Sequence, residues 1–398
     1  MFRTAATPAV TALALLAASA GAAHAGIGDF AQAQADPVAM EAEINSQLAG
    51  RVFGYQYAIK QDGKLAVADA KGTALSAKDA GGAAVPMTSS TRMDIASATK
   101  TFTSISTLKL LKANGLTIES KVAPYLPSGW ARGLGFGLRS TSSWLTSKDD
   151  DAVRFRHLLN HTSGVYQAVV KAIDSKQNEP AGNGWDGVQD VVQNGTIVDS
   201  DRKYHNYNFT VLRVLNAELY KRAAKKPAVT QANHAAYGLD AMRSSIFNPA
   251  GMENVTCTHP NPATAMKSYG LGATQQSKGT LHASGPETCA GHRGLVLSTI
   301  DHVQMLASLR SGDILEDDDL DTMDKLTIGW DERSGTGEWN GVYFHAGDLS
   351  GTHTCGATMD DGTQVSLMVN SEVVATAKPG GMNTVCGVVL SAYRAATD

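Results

Sequence analysis

Ser97 and Lys100, three positions apart in RMDIASATKTF (92–102), are the side chains of this sequence that most directly suggest chemistry. A serine hydroxyl is a poor nucleophile at neutral pH and needs a base within hydrogen-bond reach. On a helix, residues three apart share a face, so the Lys100 amine can lie over Ser97 one turn along. The start of a helical pattern adds more, because unpaired backbone N–H groups and the positive end of the helix dipole favour a developing oxyanion and a neutral lysine nearby. The same Ser-x-x-Lys spelling recurs at Ser106 and Lys109. There the serine falls in mid-helix, hemmed in by the preceding turn, so Ser97 is read as the nucleophile and Ser106 is not.

The elements that must position this pair follow from periodicity. From Ala98 to about Asn114, Phe102, Ile105, Leu108, Leu110 and Leu111 recur at helical spacing until Gly115 stops them. Upstream, PVAMEAEINSQLAG (37–50) reads as an amphipathic helix ended by Gly50, and FGYQYAIKQDGKLAVADAKG (53–72) as a hairpin turning at Asp62-Gly63. Helical patterns dominate to about residue 250, notably FTVLRVLNAELYKRAA and YGLDAMRSSIF. The last hundred residues are β-rich: LTIGWDE, GVYFHAG and THTCGATMDDGTQVSLMVNS, with a turn at Asp361-Gly362 and a final helix from about Asn383 to Arg394. EDDDLD (316–321) reads as a solvated helix face, and the Gly- and Ser-rich stretch 128–152 as a loop. Its Gly133, Gly135 and Gly137 lack the leading strand and the following Gly-Lys-Ser of a phosphate loop. Strands at both ends with helices between predict an α/β protein of the α+β kind: an antiparallel sheet built from the two termini, flanked by N- and C-terminal helices, with an all-helical insertion. The expected boundaries are 26–96 and 295–398 for the sheet and 97–294 for the helical part.

With 398 residues, 43% hydrophobic content and a formal charge of -4, the chain can bury a large core and has no basic excess to draw it to nucleic acid. Residues 1–25 have an early arginine, an Ala/Leu-rich apolar run and small residues flanking His24, which reads as a secretory signal peptide. The expected location is therefore secreted or periplasmic, without a membrane span after cleavage. Disulfides are permitted there, and the four cysteines at 257, 289, 355 and 386 allow three pairings. Nearness along the chain favours Cys257 with Cys289 and Cys355 with Cys386. No Cys-x-x-Cys spacing exists and the eleven histidines are scattered, so no metal and no cofactor is expected. The expected partner is a small-molecule or short-peptide substrate, and the expected state is a monomer.

Four further stretches complete a pattern. RFRHLLNHTSG (154–164), Tyr204-His205-Asn206, AGHRGLVLSTIDHVQML (290–306) and His345-Ala346-Gly347 follow ASATKTFTSISTLKLLKANGLTIESKVAPYLP in this order. Together they resemble the serine β-lactamase and penicillin-binding protein superfamily, specifically its class C β-lactamase-like branch with DD-carboxypeptidases, esterases and D-aminopeptidases. The likeness runs from about residue 40 to the C-terminus and weakens over 128–152 and 166–200. It implies that Ser97 forms an acyl-enzyme while Lys100 takes or relays its proton. It implies that Tyr204 shuttles that proton to the leaving group and then helps activate the deacylating water, and that Asn206 orients Lys100 and the substrate. His345 and Gly347 would line the substrate side of a strand, and the oxyanion hole would be the N–H groups of Ser97 and Asp348. Glu179-Pro-Ala-Gly-Asn183 imitates a class A deacylation segment but stands before the tyrosine motif, and is read as a chance match.

Asp348 departs from the family pattern, which places a small residue there. Strand alternation turns its side chain away from His345 and predicts a buried acid in need of a partner. A histidine in the third motif, largely neutral at pH 7, demands a substrate anion less than a lysine does. The expectation is therefore an esterase or D-amino-acid peptidase. A class C-like β-lactamase and a catalytically silent binding protein are the alternatives.

Overall fold

The computed structural model describes residues 34–130, 153–165, 184–194, 202–282, 285, 289–373 and 384–397. The expected signal peptide, the three loop glycines and the Glu179–Asn183 segment lie outside them. Among the described residues, no helix is long and apolar enough to cross a membrane.

The first helix, α1 (Pro37–Leu48), starts where Pro37 can sit without a donor and Asp36 accepts a hydrogen bond from the Val38 N–H at 2.9 Å. Gly50, at φ 73°, turns the chain into β1 (Gly54–Gln61), and Asp62-Gly63 reverses it into β2 (Lys64–Leu75). A short helix α2 (Ala77–Ala80) leads to β3 (Val85–Pro86), and β4 (Met93–Asp94) pairs with β5 (Val296–Leu297) as a separate two-stranded ribbon. Near the C-terminus come β6 (Val342–Leu349), β7 (Thr352–Met359) and β8 (Thr363–Val369), the last two joined through Asp361-Gly362. The main sheet has six strands in the order β3-β2-β1-β8-β7-β6, all antiparallel, so the two ends of the chain meet where β1 pairs β8.

Both faces of the sheet are covered. Alternation on β1 sends Tyr55, Tyr57 and Ile59 to the side packed by Met40, Ile44 and Leu48 of α1 and by Val385 and Val389 of the C-terminal helix. Its other face presents Gln56, whose amide donates to Thr91 O and whose carbonyl accepts from the Thr299 side chain. Against that face packs the helix Thr299–Arg310, whose His302 ring meets Phe102 of α3 (Thr99–Ala113), a helix buried nearly all round. Its polar side chains reach other elements: Thr101 donates to Gly329 O at 2.8 Å, Thr103 to Gly291 O at 2.6 Å and Thr107 to Asn216 Oδ1 at 3.0 Å. A helix polar in sequence is thus made a core helix by satisfying its threonine hydroxyls locally and across to its neighbours. Around it lie α4 (Phe155–Leu159), α5 (Trp185–Asn194), α6 (Asn206–Ala223), α7 (His234–Met242), α8 (Thr299–Arg310) and α9 (Asp317–Lys325). The C-terminal helix is α10 (Thr384–Thr397).

The disulfides pair Cys257 with Cys289 and Cys355 with Cys386, with Cα–Cα distances of 5.5 and 5.1 Å. The second ties β7 to α10. One strand expectation fails. LTIGWDE forms turns after α9, because Thr327 and Gly329 take left-handed φ of 49° and 71° and Gly329 presses against the Ser104 side chain of α3. The apolar alternation is real, but two αL residues cannot continue a strand.

Candidate active site

Ser97 sits in a single 3₁₀ turn, Ala96–Ala98, that runs straight into α3. Three contacts fix this turn. The Ala96 N–H donates to Asp94 Oδ1 at 2.8 Å, Ile95 N–H donates to Leu295 O at 3.0 Å, and Thr354 Oγ1 donates from β7 to Ile95 O at 2.9 Å. Ala96 has φ 49°, a costly region for a residue with a Cβ, one residue before Ser97. Its neighbours Ala96, Ala98, Thr99 and Lys100 are buried, while Ser97 is partly open.

Lys100 Nζ donates to Ser97 Oγ at 2.9 Å and to His292 O at 3.0 Å. The Tyr204 hydroxyl donates to the same Ser97 Oγ at 3.2 Å, and Lys100 Nζ lies 5.0 Å from the Tyr204 ring centre. Ser97, Lys100 and Tyr204, separated by over a hundred residues, therefore meet at one oxygen. Tyr204 is 50% exposed, so the meeting point faces solvent. Asn206 is the first residue of α6, where His205 caps the helix by accepting from the Tyr207 N–H.

His345 stands buried on β6 in the neighbourhood of Lys100. Its Nδ1 lies 2.7 Å from Ala346 O, which places the ring proton on Nδ1 and leaves Nε2 an acceptor. Burial, with the Lys100 amine close by, pushes its pKa down to about 4, so the ring is neutral at pH 7. Gly347 makes the closest approach: a Cβ there would stand 2.2 Å from Ile95 O. The glycine is required by the proximity of β6 to the turn that carries Ser97, since its face of the strand lies against Ile95 and Ala96.

The expectation for Asp348 is corrected in one respect. Its side chain is 52% exposed, because alternation carries it outward at the open rim of the sheet. The partner exists: His353, directly opposite on β7, brings Nδ1 to 2.7 Å from Asp348 Oδ1. The second Ser-x-x-Lys spelling is pulled apart. The Ser106 hydroxyl is buried with no hydrogen-bond partner among the described residues, and Lys109 Nζ donates to Ile314 O at 2.6 Å.

Sequence reasoning gave no role to His161 or His292, although both fall inside stretches quoted above. His161, at φ 63°, accepts at Nδ1 from the His205 N–H and from Asn208 Nδ2, and its carbonyl accepts from the Lys203 N–H. Its ring lies 4.5 Å from that of Tyr204, so one buried histidine holds the backbone on both sides of the tyrosine. His292 O fixes Lys100, and Cys289 anchors this loop three residues earlier. Burial, with Lys100 close by, keeps the pKa of both rings well below the usual range. His157 and His161 have the spacing of a metal pair, but His157 Nδ1 accepts from Arg154 N and His161 is used as described. Among the described residues no group of three acidic, histidine or cysteine side chains forms a metal site.

The fold has relatives among solved structures. The octameric penicillin-binding protein homologue from Pyrococcus abyssi is 18% identical at TM-score 0.60, covering 90% of this chain and 76% of its own. The D-amino acid amidase from Ochrobactrum anthropi SV3, solved with L-phenylalanine amide, is 17% identical at TM-score 0.61, covering 90% and 98%. EstCE1, a hydrolase with promiscuous acyltransferase activity, is 15% identical at TM-score 0.62, covering 89% and 98%. At these identities the likeness is one of fold. No curated protein matches significantly. The Beta-lactamase family matches residues 40–381, which spans the sheet, the helical layer and every residue of the site, and the chain belongs to that family.

Proposed function

We propose that this protein is a secreted serine hydrolase of the class C β-lactamase-like branch that hydrolyses an ester or a D-amino-acid amide or peptide through an acyl-enzyme on Ser97. The observation that carries this reading is the convergence of Lys100 Nζ and Tyr204 Oη on Ser97 Oγ, at 2.9 and 3.2 Å. With the Lys100 amine in its neutral form, Ser97 Oγ attacks a carbonyl as its proton passes to Lys100, and Tyr204 acts as a relay, giving its own hydroxyl proton onward and taking one from Lys100. Tyr204, exposed beside the nucleophile, can then deliver that proton to the leaving oxygen or nitrogen. In the second half-reaction the same pair draws a proton from water as it attacks the acyl carbonyl, and Ser97 regains its hydrogen. The negative oxygen formed in each half-reaction is assigned to the Ser97 and Asp348 N–H groups, with Asn206 and His345 orienting the substrate.

The neutral His345 favours ester or amide substrates over those that need a fixed cation for a carboxylate. Two disulfides support an oxidising compartment. The reading is tested by labelling the folded protein with a fluorophosphonate and, separately, a fluorescent penicillin, each against Ser97→Ala. Ser97-dependent phosphonate label without penicillin label is expected. Penicillin label of comparable rate turns the assignment to a β-lactamase or penicillin-binding protein, and no label from either removes the nucleophile.

A further inference from the structure

Behind the proposed oxyanion hole stands an acid-histidine-acid arrangement that the reaction above leaves unused. His353 Nδ1 lies 2.7 Å from Asp348 Oδ1 and its Nε2 lies 3.3 Å from Glu372 Oε2. Glu372 is itself held, since its Oε1 accepts from the Gly351 N–H at 2.7 Å and from Ser350 Oγ at 3.4 Å. A neutral imidazole has one N–H and can serve only one of the two carboxylates, whereas an imidazolium serves both. The His353 side chain is 15% exposed, against 52% for Asp348 and 40% for Glu372. Among the described residues the charged groups facing it are Asp348 from β6 and Glu372 from the segment after β8, while His282 reaches the turn at Ser350 O.

We propose that His353 is a positioning residue for acyl transfer: as an imidazolium bound to Asp348 and Glu372, it keeps the Asp348 carboxylate on the outer face of β6 and offsets its charge. The Asp348 N–H, which the reading above assigns to the substrate oxyanion, then belongs to a residue whose side-chain charge is offset. This inference rests on the acyl-enzyme reading and on its placement of that N–H. It explains how a carboxylate is tolerated where an anion must form. Burial alone would lower the pKa of His353, but the bond to Asp348 and the charge of Glu372 outweigh it and hold the pKa above 6.5. The charged ring is thus favoured to higher pH than in a free imidazole, and it is lost as the pH rises further. Once it is lost, two carboxylates share one N–H, and uncompensated negative charge disfavours the oxyanion.

The test is the second-order rate of fluorophosphonate labelling of the folded, disulfide-bonded chain, followed from about pH 5 to about pH 9, for wild type, Asp348→Asn, His353→Gln and the double variant. Titration of Lys100 and Tyr204 is common to all four, so the informative quantity is the ratio of rates. The Asp348→Asn to wild-type ratio is expected to rise roughly five- to tenfold from the acid to the alkaline end. His353→Gln is expected to be slow throughout, and the double variant to recover. A flat Asp348→Asn ratio, or His353→Gln matching wild type at acid pH, overturns the proposal. Asp348→Asn keeps His353 and decides the matter even where His353→Gln does not fold. If wild type shows no Ser97-dependent label at any pH, the acyl-enzyme reading fails instead.

Discussion

Gly347→Ala should separate the stability of this fold from its chemistry. The methyl group would stand 2.2 Å from Ile95 O, 2.3 Å from Thr354 Oγ1 and 3.2 Å from Ala96 Cβ. The threonine hydroxyl can rotate away at the loss of its bond to Ile95 O, but the Ile95 carbonyl cannot, because the backbone turn carrying Ser97 is built on it. Ordinary contact begins at 3.4 Å, so β6 or the turn must give by about 1.2 Å. Overpacking of this kind costs about 1–3 kcal/mol, which a chain of this size survives. The same displacement opens the gap between Ser97 and the strand bearing His345 and the Asp348 N–H, and a misplacement of about 1 Å costs on the order of a hundredfold in rate. The assay is the fluorophosphonate labelling rate at Ser97, read beside thermal unfolding of the same preparation. A folded Gly347→Ala protein that labels within about twofold of wild type would refute the claim that contact between β6 and the nucleophile turn sets the catalytic geometry.

Tyr204→Phe removes the hydroxyl on Ser97 Oγ while leaving the ring on His161, and should lower turnover by about 10²- to 10⁴-fold with unfolding unchanged; steady-state ester hydrolysis beside circular dichroism checks it. Ser106→Ala, at the second Ser-x-x-Lys spelling, should leave labelling intact and stability within about 1 kcal/mol, since the hydroxyl it removes is buried without a described partner; slow labelling would contradict the choice of Ser97 over Ser106. Acid should destabilise the fold early. His345 is held down to about 4 in the folded chain, while in the unfolded chain it titrates near 6.5. A depressed histidine pKa means the unfolded state binds more protons between those values, so stability is full above about pH 6.5 and declines as pH falls toward 4, by about 3 kcal/mol from His345 alone. Denaturant unfolding at stepped pH measures this, and a stability flat across that window contradicts the neutral, buried assignment.

Much of the scaffold is written locally. Asp62-Gly63 and Asp361-Gly362 turn the hairpins they announce, Gly50 and Gly115 end their helices at positive φ, and the cysteine pairs close the shorter loops available. LTIGWDE misleads because its alternation is local, while the conformation is decided by the docking of Gly329 on α3. At the site, Ser97 and Lys100 could be picked out as candidates by their spacing, and Tyr204 and His345 by the order of motifs in the family they resemble. The residues that hold them could not. The left-handed Ala96 has no composition signal, the Lys100 partner is a backbone carbonyl, and His161 matters through the backbone of 203–205. Likewise, nothing near Asp348 in sequence names His353 as its partner until β6 and β7 are placed in register.

The account stands on Ser97 being acylated through the oxygen that Lys100 and Tyr204 share. Intact-protein mass spectrometry after incubation with a fluorophosphonate, followed by peptide mapping, measures this directly. One adduct per chain is predicted, on the peptide carrying Ser97, absent from Ser97→Ala and strongly slowed in Lys100→Met and Tyr204→Phe. An adduct that persists in folded Ser97→Ala, or that maps to another residue, contradicts it.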